Sequence, residues 1–159
     1  MNSVLTLPAM ATKHSFSARL VWKKGGEGGN TNNHRVEFEN RLPLEVSAAP
    51  QYRGDPTKLN PEELFLASLA SCQMLTYVAL AARAGIDVIS YEDRPEATLA
   101  MADRRMRVTE VLLRPMITIG AGSDEAKARA LVESAHQGCF IANSVACAVR
   151  AEAEIAFEG

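Results

Sequence analysis

No charged side chain occurs between residues 64 and 82. A run of that length meets the criterion for a helix that crosses a bilayer, about 20 apolar residues. Ser68, Ser71, Cys72, Gln73 and Thr76 interrupt it, however, and much of the remainder is alanine, which gains little on transfer to hydrocarbon. We read the segment as a core or interface helix rather than a membrane span. Asn60 is its N-cap, Pro61 its first helical residue and Glu63 the capping-box partner, and Gly85 supplies the stop. The implied helix is about 36 Å long at 1.5 Å per residue, roughly the width of a small domain. It is apolar on nearly every face, so it must be covered on all sides. A chain of 159 residues can hardly do this alone, whereas two chains wrapping their sheets around paired helices would. The physical inference is a homodimer.

The flanking segments alternate with the period of half-buried strands. Phe16, Ala18, Leu20 and Trp22 form the first, residues 34–38 the second, and residues 42–48 extend the sheet. The Gly- and Asn-rich tract 25–33 reads as the hairpin loop between the first two. It lacks the Gly-Lys-Ser/Thr sequence and strand-to-helix setting of a phosphate cradle. Residues 88–99 and 105–119 form a second block of strands with a turn at 101–104, Pro115 marking an edge or bulge. Ser123 caps a second helix that ends at Gly138. Residues 139–145 read as a short helical piece, and Val149, Ala151, Ala153, Ile155 and Phe157 as a final strand. This order specifies an α+β fold built as one domain over residues 1–159.

Seventeen basic and nineteen acidic residues leave a net charge of -2, with no basic excess to neutralise a phosphate backbone, so nucleic acid is not the expected partner. Residues 1–11 lack the charged start and long apolar run of an export signal. The chain has three cysteines, an odd number unlike a disulfide framework. Both features point to the cytoplasm, where thiols stay reduced.

Each cysteine has a plain structural reading. Cys72, mid-helix among apolar neighbours, fits an inert core thiol. Cys139 follows Gly138 at an expected helix N-terminus, where backbone N–H groups lower a thiol pKa, or else is a loop thiol without chemistry. Cys147 lies between small apolar residues. His136 precedes Cys139 by one turn, but no CxxC or HxxxH spacing supports a metal site.

Taken together, Tyr52-Arg53-Gly54-Asp55-Pro56, Asn60-Pro61-Glu62-Glu63-Leu64, Ala70-Ser71-Cys72 and the distant Cys139 resemble the OsmC/Ohr family of hydroperoxide reductases. The resemblance implies antiparallel sheets wrapped around a long central helix in an intertwined homodimer. It implies a cofactor-free thiol peroxidase in which Cys72 is peroxidatic and Cys139 resolving, Arg53 and Glu62 complete the site, organic hydroperoxide is the substrate and a lipoyl-type dithiol the reductant. The chain departs from the family in two places. The segment from Arg53 to Glu62 is slightly shorter than in OsmC itself, which leaves Arg19, on an N-terminal strand, as the substitute arginine. Phe140 stands where many members have proline.

Chemistry gives these roles content. Burial raises the pKa of Cys72, which lies beyond the useful reach of its helix dipole, so a cation such as Arg53 is needed, held by Glu62 in a bidentate pair. Lowering a thiol pKa from about 8.5 to about 5.5 raises the ionised fraction at pH 7 roughly 30-fold, but a Brønsted slope of about 0.45 returns roughly 20-fold. The arginine must therefore also stabilise the oxygen that leaves as the O–O bond breaks. Phe65, Leu69 and Leu75 are the expected apolar lining for the alkyl group. Ten residues of straight helix separate Glu62 from Cys72 by about 15 Å. Either the helix breaks after its first turn or the acid comes from another chain. The competing reading is a non-enzymatic protein that binds a small apolar ligand near Cys72.

Overall fold

The computed structural model describes residues 13–159, so the segment 1–11 considered above lies outside it. Helix α1 spans Pro61–Ala84 without interruption and begins and ends where the local signals place it. The Asn60 side chain accepts from the Glu63 N–H at 2.9 Å, while the Glu63 carboxylate accepts from the Asn60 N–H at 3.0 Å. Two first-turn donors are thereby satisfied. Gly85 ends the helix at φ 75, the left-handed conformation that glycine adopts without cost.

Ahead of α1, β1 (Arg19–Val21), β2 (His34–Glu37) and β3 (Leu44–Val46) form an antiparallel sheet. The Gly/Asn tract is the β1–β2 hairpin loop, as the sequence predicts. Strand β1 is shorter than the alternation suggests: Phe16 lies outside it and is 96% exposed. The substantial contacts of these three strands are with one another. The sheet is tied to the rest at Val46 and Ser47, which bridge to Leu59.

After α1 come β4 (Val88–Asp93), β5 (Glu96–Ala102), β6 (Arg105–Leu113), β7 (Pro115–Ile119), helix α2 (Glu125–Gly138), β8 (Ala148–Ala151) and β9 (Glu154–Phe157). Each long alternating segment that the sequence suggests is one strand is therefore two. The breaks fall at 94–95, at Arg114 and at 152–153, and they separate a β4-β7-β9 sheet from a β5-β6-β8 sheet. Hydrogen bonding continues across them, with the Arg114 N–H donating to the Asp93 carboxylate at 2.7 Å and the Glu152 N–H to the Leu113 carbonyl at 2.9 Å. Pro115, which has no N–H to give a ladder, opens β7 at this bend. The β5–β6 hairpin turns through Asp103 and Arg104, both at positive φ. The antiparallel pairings are joined by two parallel ones, β6–β8 and β7–β9, so these two sheets are mixed.

Asp124, not Ser123, is the N-cap of α2, accepting from the Lys127 N–H at 3.0 Å. The Ser123 hydroxyl instead accepts from the Asp87 N–H, tying the start of α2 to the segment after α1. Helix α2 packs on α1 through apolar contacts among Tyr77, Ala81, Ala128, Val132 and Ala135, over Ile117 and Ile119 of β7. Two polar rungs fix its position. Gln73 Nε2 donates to the Val132 carbonyl at 3.0 Å, and the Tyr77 hydroxyl donates to the Ala128 carbonyl at 3.1 Å.

Leu69 is fully buried against Val111 and Leu113 of β6, so in this structure it is core and offers no surface to a substrate. Replacing Leu69 with alanine is expected to cost about 2–5 kcal/mol in urea unfolding at fixed chain concentration.

Candidate active site

Cys72 lies in the middle of α1, one residue before the Gln73 rung and four before Thr76. The rungs hold α2 so closely that a Cβ added at Gly138 would come within 3.3 Å of Thr76 Cγ2. The chain then leaves α2 at Cys139, whose N–H bonds back to the His136 carbonyl at 3.2 Å. Cys139 is thus the C-cap of α2, not the first residue of a helix. The expected helical piece after it is reduced to a single 3-10 turn at Ala142–Ser144.

Residues 140–142 nevertheless present backbone N–H groups to sulfur. The Ala142 N–H lies 3.4 Å from Cys139 Sγ. The backbone N–H groups of Ile141 and Phe140 and the Cys139 thiol act as donors that favour the Cys72 thiolate. Desolvation is the largest single influence on Cys72 and disfavours the thiolate. The donors from Ile141, Cys139, Phe140 and Thr76 together outweigh it, and the Cys72 pKa falls below its ordinary value. The Thr76 hydroxyl also donates to the Cys72 carbonyl at 2.8 Å.

Cys139 moves the other way. Its burial raises the pKa, and its hydrogen bond to Cys72 raises it further, because a thiol that donates to a neighbouring thiolate must keep its proton. Only 1% of Cys139 is exposed. Nearby, burial also raises the Tyr91 pKa, followed by the charges of Asp93, Tyr77 and Cys139. The ordering of the two cysteines is the reverse of the one suggested by placing Cys139 at a helix N-terminus. Both thiols are free in this structure.

The other sequence-predicted residues lie elsewhere in the single chain. Helix α1 does not break, so Glu62 stays in its first turn, about 15 Å along the axis from Cys72. No arginine or glutamate is among the groups that shift the Cys72 thiol. Arg19 pairs with Glu37 at 3.1 Å on the exposed β1–β2 surface. Arg53 occupies an exposed loop at φ 63. A non-glycine residue in that conformation is strained by about 1–3 kcal/mol and persists only when its surroundings impose it. The next residue, Gly54, passes so close to the preceding loop that a Cβ there would lie 1.5 Å from the Ala48 carbonyl oxygen. Leu75 is 62% exposed on α1. Phe65 lines a groove of about 390 Å³ with Val108, Val145 and Cys147.

The backbone N–H row at 140–142 was not evident from the sequence, although Thr76 one turn after Cys72 and the glycine before Cys139 are its visible traces.

A family model described as OsmC-like protein matches residues 54–154, a span that includes both cysteines and Glu62. The chain belongs to the OsmC-like protein family. An OsmC-like protein of unknown function from Vibrio cholerae shares the fold at a TM-score of 0.82 and 29% identity, over 89% of this chain and 100% of that one. An organic hydroperoxide resistance protein from Elizabethkingia anophelis superposes at a TM-score of 0.71 and 22% identity, over 94% of this chain and 100% of that one. The uncharacterized protein YmaD of Bacillus subtilis is 22% identical over 135 residues, 83% of this chain and 87% of its own. The α+β architecture with a long helix is the one these OsmC-like structures share.

The opposite shifts of the two thiols have a measurable consequence. At neutral pH, brief treatment with iodoacetamide is expected to label Cys72 ahead of Cys139, as read by peptide mapping. Labelling of Cys139 first would overturn the ordering.

Proposed function

We propose that this OsmC-like chain is a thiol peroxidase that reduces organic hydroperoxides, with Cys72 as the attacking and Cys139 as the resolving cysteine. The observation that carries the reading is the pairing of the two thiols as neighbours that shift each other's pKa, Cys72 towards losing its proton and Cys139 towards keeping it. The Cys72 thiolate attacks the terminal oxygen of the hydroperoxide. As the O–O bond breaks, a sulfenic acid forms on Cys72 and an alkoxide leaves, taking up a proton to become the alcohol. The Cys139 sulfur then attacks Cys72, forming the disulfide and releasing water. An external dithiol, for which a lipoyl-type group is suitable, restores both thiols by exchange. The N–H groups of Phe140 and Ile141 that face the thiolate are suited to hold the sulfenic oxygen next.

The reading includes a homodimer. Only 22% of the most apolar window of α1 is buried within one chain. Its exposed side includes Leu75 and Val78, and the N-terminal sheet exposes Leu20 and Trp22. In two copies the sheet of one would cover the helix of the other. The same exchange would bring Arg53 and Glu62 from one chain to Cys72 of the other, where the guanidinium would stabilise the departing oxygen. The solved organic hydroperoxide resistance proteins that share this fold make peroxide chemistry the best-supported reading of the thiol pair.

One equivalent of cumene hydroperoxide is expected to produce a Cys72–Cys139 disulfide and leave Cys147 free, as seen by peptide mapping. Replacing Cys139 with serine should leave a sulfenic acid on Cys72 that over-oxidises with excess peroxide. Three reduced cysteines after treatment would sink the peroxidase reading in favour of apolar-ligand binding. Light scattering should give about twice the chain mass at micromolar concentration. A well-folded monomer would remove the dimer and the shared site with it.

A further inference from the structure

The β1–β2 loop has a task that its Gly- and Asn-rich composition does not reveal. Asn30 Nδ2 donates to the Arg53 carbonyl at 3.0 Å, and Asn32 Nδ2 donates to the same carbonyl at 3.2 Å. Asn32 also reaches the Tyr52 carbonyl at 3.3 Å. The two asparagines are set against each other, since the Asn32 N–H donates to Asn30 Oδ1 at 2.9 Å. A third, Asn33, is almost fully buried. Its amide donates to the Glu27 carbonyl and, at 3.2 Å, to the Asp55 carboxylate, locking the loop to the far side of the Arg53 turn. The Asp55 N–H in turn donates to the Ser47 hydroxyl at 3.0 Å.

All of this converges on a residue whose backbone sits in the left-handed region, where a glycine would make the same turn without strain. Arginine stands there instead, and its guanidinium makes no ion pair among the described residues. Without outside support the residue would relax into an ordinary conformation by a swing of roughly 120° in φ, re-aiming its Cα–Cβ bond and the long side chain beyond it.

We propose that Asn30 and Asn32 are positioning residues of the peroxide site, holding the Arg53 carbonyl so that the guanidinium is aimed at Cys72 of a second copy. The inference rests on the reading of Arg53 as the activating arginine. In this role the asparagines touch neither peroxide nor sulfur and act only through Arg53. Their effect therefore vanishes when Arg53 is absent.

A double-mutant cycle tests this on the full-length protein, comparing Arg53→Ala, Asn30→Ala with Asn32→Ala, and the triple variant. Two readouts are taken, kcat/KM for cumene hydroperoxide with a dithiol and the pH profile of Cys72 alkylation. The double asparagine variant is expected to lose about tenfold or more in kcat/KM, because small misplacements of a positioned group are costly. The triple variant should be no worse than Arg53→Ala by either readout. Additive losses would assign the asparagines to loop stability alone and overturn the proposal. Full activity in the asparagine variant with an impaired Arg53→Ala would also overturn it, leaving the arginine's role intact. Full activity in Arg53→Ala would remove that role and the proposal together. Should the double variant fail to fold, the single Asn30→Ala and Asn32→Ala variants, each keeping one donor to the carbonyl, go through the same cycle.

Discussion

The two hydrogen bonds from α1 side chains to α2 carbonyls govern the rest of the structure. An apolar helix packs against its neighbours in many ways of similar energy, because dispersion and burial carry little directional information. Gln73 and Tyr77 remove that freedom: once buried, each must find a partner, and each finds a backbone carbonyl on α2. The position thus selected sets Gly138 against Thr76 and delivers Cys139 to Cys72. The stability and the chemistry of the chain depend on the same contact.

Backbone polarity, more than side-chain charge, sets the state of the thiols within one chain. The reading that a buried Cys72 needs a cation overlooked the peptide groups as a source of positive potential. The N–H groups of Phe140 and Ile141, with the Cys139 and Thr76 donors, outweigh desolvation without an arginine. Under the proposed function, Arg53 would then be needed for binding peroxide and stabilising the departing oxygen more than for making the thiolate. Activation by fixed dipoles also has a Brønsted advantage, since a modest shift of the pKa leaves the sulfur a good nucleophile.

Elements defined by local chemistry were readable residue by residue. Asn60, Pro61 and Glu63 start α1 through bonds among near neighbours, and Gly85 ends it through its own backbone freedom. Of the bends at 94–95, Arg114 and 152–153, only the one at Arg114 had a reading in the sequence, through Pro115 as an edge or bulge. Period-2 alternation runs straight through them, whereas the chain divides there into two sheets. The placement of Cys139 failed for a related reason, because a glycine followed by a polar or small residue occurs at both ends of helices. Here the glycine is the last residue of α2, and Cys139 caps it through the His136 carbonyl.

By itself the sequence determined a long uncharged helix with defined ends, an α+β order of elements, and two cysteines far apart in the chain with motifs resembling one family. These depend on side-chain type and spacing over a few residues. Only the tertiary structure decided that the cysteines meet, which of them loses its proton first, and that asparagines of the β1–β2 loop hold Arg53 in a strained turn. Each of those outcomes depends on hydrogen bonds between residues distant in sequence, whose geometry exists only after the helices and sheets have packed.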